Sequence, residues 1–135
     1  MSTELLFDIF LAVATVESAC NPAVTGDHGQ AVGIVQIHTG VVEDVNRLTK
    51  TRILPEQREK VKVSWFLFRE YLKHYCKDDP DNVQRMVRTW NGGPLGWLKP
   101  STKRYWERVN EILKNPTALA AARSMVLREL AKEID

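Results

Sequence analysis

ATVESACNPAVTGDHG, running from Ala14 to Gly29, is the stretch that decides how the chain reads. Its first letters continue an apolar helix. Leu5, Ile9, Ala12 and Val16 recur at helical steps, and Leu6, Phe10 and Val13 widen the stripe, so a helix is predicted over residues 3–18. Asn21-Pro22 ends it, because the residue before a proline is pushed out of the helical region. Thr25-Gly26-Asp27-His28-Gly29 is a run of turn formers, read as a loop or a small hairpin. Glu17 stands at the junction, in the last helical turn, among Val13, Ala14, Val16 and Ala19. The helix C-terminus is partly negative and the apolar neighbours displace water; both disfavour a carboxylate and raise its pKa. A carboxyl that stays protonated near neutral pH is what a general acid needs. The competing reading is a glutamate that points into solvent.

Outward from this stretch the chain is a series of helices joined by short breaks. Val32 to Ile37 is a short buried piece, and Thr39 opens a helix to about Leu48 with Glu43 and Asp44 near its start. Pro55 is placed to begin a helix over 55–77, whose Val61, Trp65, Phe68, Leu72 and Tyr75 predict the central core helix. A short helix follows from Pro80 to about Trp90, broken by Gly92-Gly93-Pro94. Ser101 or Thr102 caps another through Leu113, and a last helix over 117–134 carries Leu119, Ala122, Val126, Leu130 and Ile134 on one face. Strand character is confined to residues 20–40. The expectation is one mainly α domain, residues 1–135, with a small loop- and β-rich insert after the first helix.

Composition excludes several classes. Apolar residues make up 44% and charged residues 27%, a globular balance. Leu5 to Val16 is interrupted by Asp8 and falls short of the roughly 20 residues of a bilayer span, so no membrane span is expected. Net charge is +2, with residues 1–50 summing to −4 and residues 51–135 to +6. The basic half is either a contact for an anionic polymer or an ordinary solvated surface. The basic run Lys99 to Arg104 carries no recognition motif, and so low a net charge argues against a nucleic-acid partner. His28, His38 and His74 lack metal-ligand spacing, and there is no phosphate-binding or dinucleotide fingerprint, so neither metal nor cofactor is expected. Cys20 and Cys76 are read as free buried thiols, a single disulfide being the alternative.

Four short motifs now fall in order: Glu17-Ser18 followed by Asn21-Pro22-Ala23-Val24; Gly33-Ile34-Val35-Gln36; Trp90-Asn91-Gly92-Gly93; and Thr102-Lys103-Arg104-Tyr105. This order resembles the soluble lytic transglycosylase (SLT) family of the lysozyme superfamily, which shows ES, NP with a following AV, G-x-x-Q, YNxG and T-x-x-Y elements. The resemblance runs from residue 5 to about 110 and implies a lysozyme-like fold. It implies action on bacterial peptidoglycan glycan strands, with Glu17 as the single acid/base and a 1,6-anhydromuramyl product; nothing in the sequence calls for more than a monomer. Gln36 would bond substrate, Gly33 would let the backbone approach the sugar, Asn91 and Gly92 would shape the opposite wall, and the Tyr105 hydroxyl would lie near Glu17 or the muramyl acetamido group. Each has a plainer reading: Gln36 and Asn91 satisfying loop backbone, Gly92 serving a tight turn, Tyr105 in the core.

The chain departs from the family pattern in three places. Trp90 replaces the tyrosine of YNxG, keeping a stacking face without the phenol hydroxyl. Thr25 or Gly26 stands where the family has a sugar-positioning serine, and Cys20 where a bulky apolar residue is usual. Asp27, ten residues after Glu17, opens a second route. As a second carboxylate in the groove it would serve a hydrolytic muramidase. As an Asx-type turn residue before Gly29 it would leave the single-carboxylate route standing. A wall-binding module without activity is a further alternative, against which Glu17 itself argues. No basic segment precedes Leu5 and no cleavage site follows Val16, so the expectation is synthesis in the cytoplasm without a signal peptide. Action on the wall would then follow release through a holin, a virion or a secretion system.

Overall fold

The computed structural model describes residues 1–134, among which are six α-helices and one two-stranded sheet. The helices are α1 (Thr3–Ser18), α2 (Thr39–Thr49), α3 (Val61–Tyr75), α4 (Val83–Gly92), α5 (Lys103–Leu113) and α6 (Pro116–Lys132). The sheet pairs β1 (Thr25–Gly26) with β2 (Ala31–Val32), antiparallel, with Thr25 opposite Val32 and Gly26 opposite Ala31. The fold is mainly α with its small β insert directly after the first helix, as the sequence reading expects.

The core is built around α1, not around the 55–77 segment. Ile9, Phe10, Leu11, Ala12, Val13 and Ala14 are all fully buried, because a helix apolar on every side must be covered on every side. Phe10 meets Trp65 and Phe68 of α3 edge-on at 5.3 Å. Such a buried ring contributes about 1.5–3 kcal/mol. α3 buries one face only, through Val61, Leu67, Phe68, Tyr71 and Leu72. The predicted 55–77 helix is two pieces: Pro55–Glu59 form a 3-10 turn, extended Lys60 (φ −82°, ψ 126°) breaks the path, and α3 starts at Val61.

The ends of the helices explain the remaining differences. α1 stops before Asn21-Pro22, at Ala19 and Cys20, both left-handed (φ 53° and 60°), whose N–H groups return to the Thr15 and Ala14 carbonyls. α4 starts at Val83 rather than Pro80, since the Asn82 side chain accepts the Arg85 N–H. Neither Thr39 nor Thr102 caps through its side chain: Thr39 is the first residue of α2, and the Thr102 hydroxyl bonds Gly96 and Arg88. α6 ends at Lys132 and leaves Ile134 exposed. Glu133 reaches back, its carboxylate accepting the Val61 N–H at 2.6 Å and the Lys62 N–H at 3.1 Å at the start of α3. Negative charge there offsets the positive end of that helix. Cys20 and Cys76 are free and buried. No helix among the described residues is long and apolar enough to cross a membrane.

Candidate active site

Glu17 faces a pocket of about 190 Å³ that it shares with Gly26, Asp27, Ala31, Gln36, His38, Trp90 and Asn91. One wall is helical. α1 delivers Glu17, α4 delivers Trp90 and Asn91, and α5 delivers Tyr105, which is 9% exposed. The Tyr105 hydroxyl donates to Glu17 Oε2 at 3.0 Å, joining residues 88 apart in sequence. Burial pushes the Glu17 carboxyl up to about 7. The negative charge of Asp27 pushes the same way, while the Tyr105 hydrogen bond and the Arg108 guanidinium oppose it. Burial, and then the neighbouring Glu17 charge, hold the Tyr105 phenol well above its usual range, so it stays a donor. Glu17 therefore keeps a protonated form available near neutral pH, where an ordinary glutamate is ionised.

The other wall is a loop, and polar staples hold it. Ser18 donates to the Ile34 carbonyl at 2.6 Å, tying the end of α1 to the insert. The buried Arg58 guanidinium donates from Nη1 to the carbonyls of Gln30 and Ile37, at 2.9 and 2.7 Å, and from Nε to that of Pro55 at 2.7 Å. Bonds to a charged donor contribute about 1.5–3 kcal/mol each before the cost of burying the charge. Gly33 packs against this same residue: with φ 93°, a Cβ there would lie 2.2 Å from the Arg58 carbonyl oxygen. The buried glycine serves that backbone approach.

The turn at the tip places Asp27, His28 and Gly29 consecutively in the left-handed region (φ 48°, 57° and 88°). Backbone closes it, through Gln30 N–H to the Asp27 carbonyl. The Asp27 carboxylate is left to meet His38 Nε2 at 3.0 Å, in place of the Asx-type bond. Gln36, itself at φ 54°, donates its amide nitrogen to the Val24 and Gly33 carbonyls, both at 2.9 Å. Its Oε1 lies 2.6 Å from where a Cβ on Gly26 would stand, so a side chain there would have to displace the Gln36 amide.

Trp90 donates its indole N–H to the Val35 carbonyl at 3.1 Å and packs on Phe68 with 4.8 Å between centroids, so it bridges both walls. Asn91 is exposed at the pocket edge. Gly92 packs behind the pocket, where a Cβ would lie 2.6 Å from the Thr102 methyl, and Gly26 rather than exposed Thr25 lines the pocket. Sequence reasoning missed His38, Ala31, Arg58 and Arg108. His38 carried one signal, its place two residues after the G-x-x-Q element; the others carried none.

Among the described residues no group of three metal-ligating side chains comes together. An acid of raised pKa, a phenol that orients it and an open polar cleft constitute general-acid equipment. The family model for the transglycosylase SLT domain matches residues 3–113. A lysozyme of Magallana gigas is 44% identical over 45 residues, which are 32% of this chain and 33% of that protein. The chain thus spans about a third of the length of the curated relative it matches. No solved structure matches it. The family match takes in α1 to α5 and with them every residue named around the pocket, and on that extent the chain belongs to the transglycosylase SLT family.

Proposed function

We propose that the protein is a peptidoglycan lytic transglycosylase in which Glu17 is the single acid/base. Protonated Glu17 gives its hydrogen to the oxygen bridging N-acetylmuramic acid C1 and N-acetylglucosamine, and the C1–O bond breaks. The carboxylate then takes the proton of the muramyl C6 hydroxyl, whose oxygen closes on C1 as the 1,6-anhydro ring. Tyr105 holds Glu17 in place, Trp90 and Asn91 continue the wall beside it, and Gln36 offers Oε1 to the sugar from the loop wall. The observation that carries the reading is a carboxyl raised to about 7 at an open polar pocket, where a group can both donate and accept a proton at neutral pH. The wall lies outside the cytoplasmic membrane, so release through a holin, on a virion or by a secretion system belongs to the same reading.

One observation favours a second reading, a muramidase that adds water. Asp27 lines the pocket with Glu17, and its charge reaches Glu17. A second carboxylate about 5 Å away serves retaining hydrolysis, and one at about 6.5–9.5 Å serves inverting hydrolysis. Mass spectrometry of digested muropeptides separates the two. We expect 1,6-anhydromuramyl ends; reducing muramyl ends that vanish in Asp27→Asn would establish the muramidase instead.

A further inference from the structure

A second pocket, also of about 190 Å³, lies at the other end of α4, lined by Asn82, Gln84, Arg85, Arg88 and Trp97. Its lining is polar, and its two cations are unequally matched. Arg85 is bound by Asp78 through Nη1 and Nη2, at 3.1 and 2.7 Å, and its guanidinium lies 4.3 Å over the Trp97 ring. The other acids of this corner are engaged as well: Asp79 accepts from Asn82 and Asp81 meets the Met1 ammonium. Arg88 has neutral partners only, namely Thr102 Oγ1 at 2.8 Å, Gln84 Oε1 at 3.1 Å and the Lys99 carbonyl at 2.9 Å. It is 9% exposed, and among the described residues no carboxylate comes within salt-bridge distance of it. Arg85 Nε, buried in the same corner, has no hydrogen-bond partner.

A buried charge without a counter-charge is costly, and a guanidinium still holding free N–H groups matches a carboxylate in plane. The indole beside it offers an apolar surface to whatever carries that carboxylate. Position along the helix says what that is. Gln84, Arg88 and Asn91 follow one another at steps of four and three, on one face of α4, and Asn91 belongs to the Glu17 pocket. Seven residues at 1.5 Å each separate Gln84 from Asn91 by about 10 Å along the axis. An extended peptide of about three residues covers that length.

We propose that this pocket binds a carboxylate of the peptide borne by the glycan strand, gripping the strand beside the scissile bond. The assignment rests on the peptidoglycan reading above, and its test separates the two. The full chain, labelled with nitrogen-15, is titrated with N-acetyl-D-alanine and with the corresponding amide. Saturable shifts at the Trp97 indole and Arg88 Nε signals are expected with the acid, at least about tenfold weaker with the amide, as loss of a charge-assisted bond requires. No shift, or equal shifts with both, overturns the carboxylate site whatever the enzyme does.

In a second arm, kcat/KM is compared on strands that keep their peptides and on strands stripped of them. Wild type is expected to favour the peptide-bearing strand by about tenfold, and Arg88→Met and Gln84→Leu to abolish the preference while leaving the stripped strand untouched. Gln84 is exposed, so that variant keeps the test open if Arg88→Met does not fold. Binding of the acid without any change in preference would overturn the peptide as ligand, and failure to cut either strand would overturn the function proposed above while the titration still decides the site.

Discussion

The two walls of the Glu17 pocket are held by different physics. The helical wall is a product of burial: α1 is enclosed from Ile9 to Ala14, and Glu17 and Tyr105 are fixed because the apolar residues around them have one way to pack. The loop wall also sends Ile34, Val35 and Ile37 into the core, but it has little regular structure and takes its shape from hydrogen bonds to backbone carbonyls, from Ser18, Gln36 and Arg58; of the six non-glycine residues in the left-handed region among the described residues, three lie within it. Packing sets the proton affinity of the acid. Polar stapling sets the shape of what lies opposite. The first tolerates substitution of one apolar group by another of like volume, whereas the second depends on individual donors and on glycine at particular positions.

Each wall can be broken separately. Glu17→Gln keeps the packing and removes the titrating proton, so glycan-strand cleavage should fall by about 10²–10⁴-fold with the circular dichroism spectrum unchanged. A smaller drop would move the acid elsewhere. Gly33→Ala attacks the loop wall, where the new Cβ must displace the Arg58 carbonyl from a left-handed backbone. A loss of about 3 kcal/mol in urea unfolding is expected, with cleavage impaired through a misplaced insert.

Stability against pH sharpens the contrast. The Glu17 pKa is raised by folding, so the native state binds that proton more tightly than the unfolded chain does. The penalty for ionising it is absent at acid pH, grows as pH rises from the ordinary glutamate value toward 7, and is complete above. Glu17→Gln should therefore be more stable than wild type at pH 8, by about 1–2 kcal/mol after allowance for solvent at the pocket mouth, and the gap should close below pH 5. Thermal unfolding across that range measures it. The smallest effect is a pair of opposite shifts. Tyr105→Phe removes an interaction that lowers the Glu17 pKa and should move the pH profile of kcat up; Asp27→Asn removes one that raises it and should move the profile down. Shifts of the same sign would mean the two walls do not act on one proton.

The same division explains what could be read in advance. All six helices, the site of the insert, Glu17 and Tyr105 follow from apolar spacing and from motifs whose parts lie close in sequence. The uninterrupted run Ile9 to Ala14 already marked α1 as the enclosed helix, but the regular spacing of 61–75 drew the central role to α3. The 3-10 turn after Pro55 was hidden because its residues fit a helical start, and the break comes from where Arg58 must reach. The meeting of Asp27 with His38, the Arg58 staple and the reach of Arg108 toward Glu17 depend on long side chains crossing between elements, which no local pattern encodes.

The bond from Glu133 to the head of α3 ties two places 72 residues apart. A chain leaving the ribosome cannot make it until residue 133 has cleared the exit, by which time the insert and α1 have long been outside. The segment that begins α3 follows Arg58 directly, so that late clasp closes at the joint from which the Arg58 staple reaches the loop wall.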